Sequence, residues 1–299
     1  MSALTSGNAL NTTRELFKYR ALNEYTLAFL RTGAVYFSSA AEFNDPFDTR
    51  FVERDHRAQQ QQLERERRAQ GTDAALLGLA MMNVFQREHR AGLVKTRVYC
   101  VSEIVDSILM WSHYADSHRG ICVVLAAEEI CEPWWVDFSS SSISLAGAAL
   151  TKVTAEGRIE IIDNKPSQSD LIVRLPAQRV LYSEQAPGLF MFDPLPDGPM
   201  RGVTFELVKH TSWIYERERR IVIRESLLAE NPARLASDAL VGVVFGMRTS
   251  KVDVLRVREA IDRSARARPI AYSRMIERPD GFGLHRVQIS DIDEFIRSL

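Results

Sequence analysis

Residues 35–48 constrain the fold most, because a short strand pattern there runs directly into a turn that contains one proline. The turn reads Phe43-Asn44-Asp45-Pro46-Phe47-Asp48. Proline fixes its own φ and pushes Asp45 out of the helical region, while Asn44 and Asp45 can hydrogen-bond the backbone of the turn. The sequence therefore predicts a stiff turn that points Asp48 in a definite direction. Two interpretations stay open: the two phenylalanines anchor the turn to the core, or its carboxylates act in a site.

Apolar patterns elsewhere predict both strands and helices. Asn23 is a good N-cap for a helix over 24–31, and Gly33 suits the position just after that helix, before a strand that starts at Val35. Further strands are predicted at 16–22, 94–102, 120–126, 219–224, 240–245 and 270–273, and further helices at 72–90, 107–116, 203–215, 250–266 and, capped by Ser290, at the C-terminus. Because these elements interleave without a regular β-α-β rhythm, we expect an α+β fold with a central mixed or split antiparallel sheet flanked by helices.

The composition is that of a globular protein, with 299 residues, 45% hydrophobic and 26% charged. The net charge of −1 gives no overall basic field for nucleic acid. No apolar run approaches the about 18 residues of a membrane span, so we expect no membrane partner and a cytoplasmic location. We expect one domain over 14–299 with a charged helical insertion at about 53–92, a loop at 187–202 and a disordered tail at 1–13. The three cysteines lack a metal-site spacing, so we expect neither zinc nor a disulfide.

A late segment, 215–223, places several charges directly before an apolar strand. If this segment is extended, residues of equal parity share a face, which puts Glu216, Glu218 and Arg220 in one row. The row could be an exposed strand end whose ion pairs contribute little. It could equally be a site in which a carboxylate stabilises developing positive charge while the arginine holds an anion.

The predicted helix at 107–116 is rich in aromatic residues. Trp111, Tyr114 and His118 form a stripe that is more typical of a core than of a cofactor pocket, and His113 lies beside it. The spacing of His113 and His118 does not suit two imidazoles on one metal ion. The chain also lacks a glycine-rich phosphate loop and a Gly-x-Ser-x-Gly motif, so the common hydrolase and nucleotide-fold signatures are absent from the sequence.

Four separated motifs together resemble the bacterial family named domain of unknown function 2971. They are Phe17-Lys18-Tyr19-Arg20, Phe37-Ser38-Ser39 with the turn at 43–48, Trp111-Ser112-His113-Tyr114-Ala115, and the segment Trp213 to Arg220. The resemblance spans roughly residues 16–246 and keeps the motifs in order. The family name supplies no activity.

A second resemblance does suggest an activity. A strand bearing Arg20, a helix ending in glycine, a strand bearing Ser38 and a late Glu-x-Glu are similar to the arginine, serine, glutamate order of ADP-ribosyltransferases. The resemblance implies that Arg20 and Ser38 place NAD, that Glu218 stabilises the oxocarbenium-like ribose, and that Glu216 is the first carboxylate of the pair. The motif residues around them are then cofactor-binding candidates: Lys18, Tyr19, Ser39, Asn44, Asp45, Trp111, His113, Tyr114 and Arg220.

The leading hypothesis is therefore an NAD-using ADP-ribosyltransferase or NAD glycohydrolase, such as a toxin or phage-defence effector. Its partners would be a nucleotide and a macromolecular acceptor, protein or nucleic acid. One alternative is a metal-dependent nuclease or phosphohydrolase that holds Mg²⁺ with Asp45, Asp48 and one of the late glutamates. Another is a non-catalytic recognition module with structural motifs. If the protein is an enzyme, we expect Arg20, Asp45, His113 and Glu218 to line one cleft.

Overall fold

The computed structural model describes residues 12–49, 65, 95–129, 132–143, 151–153, 159–161, 172–185, 205–264 and 268–299. The predicted charged insertion and the helix at 72–90 lie outside the described residues, apart from Arg65, and so does the predicted loop at 187–202. The first strand starts at Thr12, inside the segment that was expected to be a disordered tail.

The described residues form sixteen strands and four α-helices. The strands are β1 Thr12–Arg20, β2 Ala34–Val35, β3 Ser38–Ser39, β4 Thr96–Ser102, β5 Ile121–Glu129, β6 Trp134–Ser139, β7 Thr151–Val153, β8 Ile159–Ile161, β9 Ile172–Arg179, β10 Leu181–Ser183, β11 Val208–His210, β12 Glu218–Arg224, β13 Ala233–Arg234, β14 Leu240–Phe245, β15 Ala271–Glu277 and β16 Leu284–Ile289. The helices are α1 Glu24–Thr32, α2 Ile108–Tyr114, α3 Lys251–Asp262 and α4 Ile292–Ser298. None of these helices is long and apolar enough to cross a membrane.

Six antiparallel strands close into a barrel in the order β1, β4, β12, β9, β6, β5 and back to β1. The sheet continues from β5 through β14, the parallel β15 and the antiparallel β16. The expected α+β class with a largely antiparallel sheet is confirmed. The expected central mixed or split sheet flanked by helices is instead a closed barrel, because β1 hydrogen-bonds to both β4 and β5 and so joins the two ends of the strand order.

Two apolar layers lie on opposite faces of β1 and β5, as strand alternation requires. Leu16 and Val123 belong to a large cluster that also contains apolar residues of α1, α3 and α4. Their neighbours Phe17 and Val124 belong to a second cluster, which α2 covers with Met110 and Trp111. The alternation therefore gives each of these strands two buried faces.

The helix that follows β1 begins and ends as its sequence predicts. The Asn23 side chain accepts a hydrogen bond of 2.9 Å from the Thr26 amide at the start of α1. Gly33 ends the helix with φ 72°, and its amide donates to the Phe29 carbonyl at 2.8 Å. These contacts satisfy backbone groups that a helix end leaves open.

The predicted helix at 203–215 is wrong. This segment instead contains a 3₁₀ turn at Phe205–Leu207, the strand β11 and a second 3₁₀ turn at Thr211–Glu216. The strand β11 pairs in parallel with β10, and its Lys209 is buried against carboxylates from other segments, so tertiary contacts override the local pattern. At the C-terminus, Asp291 rather than Ser290 caps α4.

Candidate functional site

A cavity of 300 Å³ lies beside β4, between β1 and β3. On this edge β4 pairs with β1 at Phe17–Ser102 and with β3 at Ser38–Val98, so the intervening part of β4 borders the cavity. The cavity gathers eight of the predicted site residues from separate segments: Lys18, Tyr19, Ser38, Asn44, Tyr114, Glu216, Glu218 and Arg220.

A buried arginine organises one wall of this cavity. Arg220 donates from Nη1 and Nη2 to the two Asp48 carboxylate oxygens at 2.8 and 2.6 Å. It also donates to the two Glu218 oxygens at 2.9 and 3.0 Å and to the Glu206 carbonyl at 2.7 Å. All five N–H groups of the guanidinium therefore donate a hydrogen bond. The two bonds to Asp48 connect the turn at 43–48 to β12.

Lys209 is the second cation of this wall. Its Nζ donates to Glu216 Oε2 at 2.5 Å and to Glu218 Oε2 at 3.1 Å, and it lies 3.6 Å from Asp48 Oδ2. These neighbours raise the pKa of Lys209 despite its burial, so the ammonium stays charged. Lys209 is absent from the predicted site residues because the sequence pattern predicts a helix over 203–215. The sequence does carry one signal for Lys209 as a site residue: it is a lysine in an extended apolar segment that precedes two glutamates.

The two glutamates have pKa values shifted in opposite directions. Burial raises the pKa of Glu216 above its ordinary range, against the opposing effect of Lys209. Burial would also raise the pKa of Glu218, but Arg220 and Lys209 together hold it below its ordinary range. Two carboxyl groups whose pKa values are shifted apart can take different roles in one reaction, one as a fixed charge and the other as a proton carrier.

Tyr114 connects α2 to this pair. Its hydroxyl donates to Glu216 Oε1 at 2.6 Å, and the Asn44 side chain donates to the same hydroxyl oxygen at 3.3 Å. Glu216 therefore has one oxygen on Tyr114 and the other on Lys209. Its carboxyl group is oriented from both sides.

Lys18, on β1, is a further cation of the cavity, and its surroundings differ from those of Arg220 and Lys209. Its Nζ donates to the Cys100 carbonyl at 2.8 Å and lies 5.0 Å from the centre of the Tyr99 ring. It forms no ion pair with a carboxylate of the described residues. Burial lowers the pKa of Lys18, because the cavity wall gives the ammonium little hydration. Lys18 therefore has donor capacity left for a ligand.

Two predicted residues point away from the cavity. Arg20 donates to the Thr26 hydroxyl at 3.1 Å and lies over the Phe29 ring at 5.2 Å, so it packs on α1 instead. Trp111 is completely buried in the second apolar cluster, where its indole donates to the Val105 carbonyl at 2.7 Å. Neither side chain lines the 300 Å³ cavity, because Arg20 packs on α1 and Trp111 packs within the second apolar cluster.

Three more predicted residues also lie outside the 300 Å³ cavity. His113 is exposed, with its ring 6.2 Å from that of Tyr215. The Ser39 amide donates to Glu42 Oε2 at 2.6 Å. Asp45 accepts from the Phe47 amide at 2.8 Å, as expected for the turn, but it lines a second cavity of 730 Å³.

The turn at 43–48 is anchored by one of its two phenylalanines. Phe43 lies against the Arg220 guanidinium, 5.3 Å from ring centre to Cζ, and lines the first cavity. Phe47 is 73% exposed, so the interpretation in which both phenylalanines anchor the turn to the core holds for Phe43 only. The stiffness of the turn comes instead from the Asp45 side chain and from the bonds of Asp48 to Arg220.

The arrangement leaves no acidic cluster ready for a metal ion within the described part of the chain. Asp48, Glu216 and Glu218 converge, but Lys209 and Arg220 bond to them and occupy the space between them. Asp45, the other proposed ligand, lines the other cavity. The metal-dependent alternative therefore gains no support from this geometry.

Comparisons of the chain with protein-family models, with curated proteins and with solved structures found no match. Both resemblances noted from the sequence stay predictions. The function has to be argued from the chemistry of the cavity and its two glutamates.

Proposed function

We propose that the protein cleaves the bond between nicotinamide and ribose in NAD and passes the ADP-ribosyl group to a macromolecular acceptor or to water. The observation that carries the proposal is the pair Glu216 and Glu218 on one wall of a cavity, with pKa values shifted apart. Breaking an N-glycosidic bond builds positive charge on the sugar, which a preorganised carboxylate stabilises.

Each glutamate then has a role that follows from its environment. Glu218 stays ionised beside Arg220 and Lys209 and faces the ribose as its charge develops. As the C–N bond breaks, its electron pair goes to nicotinamide, which leaves as a neutral molecule. The oxygen or nitrogen of the acceptor bonds to the same carbon, and its proton passes to Glu216, whose raised pKa makes it the better base.

Lys18 takes the cationic position that the resemblance assigned to Arg20. The two residues stand two apart on β1, but only Lys18 reaches the cavity. Its ammonium, with one hydrogen bond to the Cys100 carbonyl, can donate to an oxygen of the ligand. Ser38 offers a hydroxyl from the other side of the cavity, on β3.

Replacing Glu218 with glutamine tests the proposal. We expect Glu218→Gln to lower the rate of nicotinamide release from NAD by about 10²–10³-fold, the range for losing one preorganised electrostatic group. The matched control is Glu225→Gln, because Glu225 follows β12 but pairs with Arg97 outside the cavity. Thermal unfolding of both variants verifies the fold, and an undiminished rate in folded Glu218→Gln would contradict the role of Glu218.

One observation favours a non-catalytic recognition module as the second candidate. Of the four residues that catalysis was expected to gather, Glu218 lines the first cavity and Asp45 the second, while Arg20 and His113 line neither. Three carboxylates of the first cavity, Asp48, Glu216 and Glu218, are also ion-paired, as in a structural lattice. Purified protein that binds NAD but releases no nicotinamide, with or without cell lysate, would establish this candidate instead.

A further inference from the structure

The second cavity adjoins the first but offers different chemistry. Its 730 Å³ are lined by the turn at 45–47, by residues 183–185 and by the segment from Val208 to Tyr215. Asn44 and Lys209 line both cavities. The described ranges give the second cavity no counterpart of the paired glutamates, so it fits binding better than bond cleavage.

The two cavities are close enough for one ligand to occupy both. The Lys209 ammonium lies 3.1 Å from Glu218 Oε2 in the first cavity and 4.9 Å from the centre of the Trp213 ring in the second. The first cavity, at 300 Å³, is at the lower end of the about 300–1,000 Å³ that small-molecule sites span. It has room for a nucleoside-sized group, and a dinucleotide needs further space.

Aromatic side chains dominate the second cavity. Trp213 and Tyr215 stand 6.0 Å apart between ring centres on one segment, and both are partly exposed. Phe47 adds a third ring from the turn and is 73% exposed. Aromatic surfaces of this kind stack on nucleobases, since every base presents a π-face.

We propose that the second cavity is a nucleobase site that holds the adenine half of the dinucleotide by stacking on Trp213 and Phe47. The inference rests on the proposed function, because it assigns the first cavity to the nicotinamide half. Glu218 then faces the nicotinamide ribose, Lys209 lies nearer the middle of the ligand, and the adenine lies on the far side of Lys209.

Adenosine monophosphate is the probe, with binding to the full chain measured by calorimetry. We expect it to bind the wild type and to bind Trp213→Ala about 5- to 150-fold more weakly, the equivalent of about 1–3 kcal/mol of stacking per base. Trp213→Phe should keep most of the affinity. Ile214→Ala is the matched control, because Ile214 is 57% exposed and does not line the cavity.

Phe47→Ala keeps the inference testable if Trp213→Ala fails to fold, because so exposed a side chain contributes little to the core. Weaker binding by Phe47→Ala supports the site, whereas unchanged binding by both variants, or no binding by the wild type, overturns it. The nicotinamide assay separates the two proposals. Nicotinamide release without binding of the probe leaves only the proposed function, and binding at Trp213 without nicotinamide release leaves only the nucleobase site.

Discussion

Replacing Arg220 with methionine is the most direct test of the charge network beside the cavity. Methionine fills a similar volume without a charge, so the change removes five hydrogen bonds and little packing. Among the described residues, the ion pair that remains for Asp48 is with Lys209, at 3.6 Å, and the one that remains for Glu218 is also with Lys209, at 3.1 Å. The buried carboxylates of Asp48 and Glu218 then share the Lys209 ammonium, which also forms an ion pair with Glu216.

The expected loss in the free energy of unfolding is about 3–5 kcal/mol at neutral pH, the cost of leaving a buried charge without its partner. The loss should depend on pH. In the wild type the pKa of Glu218 is lowered, so its contribution to stability is present above the unfolded pKa and is lost as pH falls through the folded value. Without Arg220, burial raises that pKa, and acidification should shrink the deficit by at most about 1.4 kcal/mol per pH unit for each carboxylate.

Urea unfolding at pH 7.5 and at pH 5.5 measures both effects, with an unchanged denaturant slope as the check on two-state behaviour. The double variant Arg220→Met, Glu218→Gln is the matched control, because it removes one of the stranded charges. We expect it to be more stable than Arg220→Met alone, by a coupling of about 0.5–3 kcal/mol. A deficit below about 1 kcal/mol that is the same at both pH values would show that the network is hydrated like a surface ion pair, against this reasoning.

Two further changes test the proton carrier and the local fold. Tyr114→Phe removes the 2.6 Å hydrogen bond that opposes the burial-induced rise in the Glu216 pKa, so the acidic limb of the pH profile for nicotinamide release should move to higher pH. If the acidic limb of the pH profile does not move, Tyr114 does not influence the group that carries the proton. Asn23→Ala removes the side-chain cap of α1 and should cost about 1 kcal/mol of stability in urea unfolding. No change in the unfolding midpoint would mean that packing alone fixes the start of that helix.

Local rules explain which parts of the molecule the sequence could predict. The cap at Asn23, the glycine after α1 and the Asp45 turn depend on contacts within a few residues, and all three are present. The sequence also predicts that Glu216, Glu218 and Arg220 share the face of an extended segment. Glu218 and Arg220 do so on β12 and hydrogen-bond directly, whereas Glu216 ends a 3₁₀ turn before the strand. A turn or an alternating strand carries its own geometry, so one sequence suffices to predict it.

Long-range contacts explain what the sequence could not predict. Lys209 is in a strand because β10 pairs with it and carboxylates from distant segments surround its ammonium. Arg20 was expected in the site by its order in the chain, but the nearby α1 supplies Thr26 and Phe29 as partners. The hydrophobic periodicity of a sequence does not indicate which distant residue a given side chain will contact.

The position of the cavity follows from how the barrel closes. β1 pairs with β5 along nine residues, from Thr12–Glu129 to Arg20–Ile121, but it meets β4 at Phe17–Ser102 only. After that contact the two strands separate, β3 pairs with this edge of β4 at Val98 and Arg97, and Lys18 spans the gap to the Cys100 carbonyl. Backbone groups along such a gap need other partners or a ligand. Closure through one residue pair thus leaves an edge of β4 open beside β12, which carries Glu218 and Arg220, and a longer β1–β4 pairing would close the cavity.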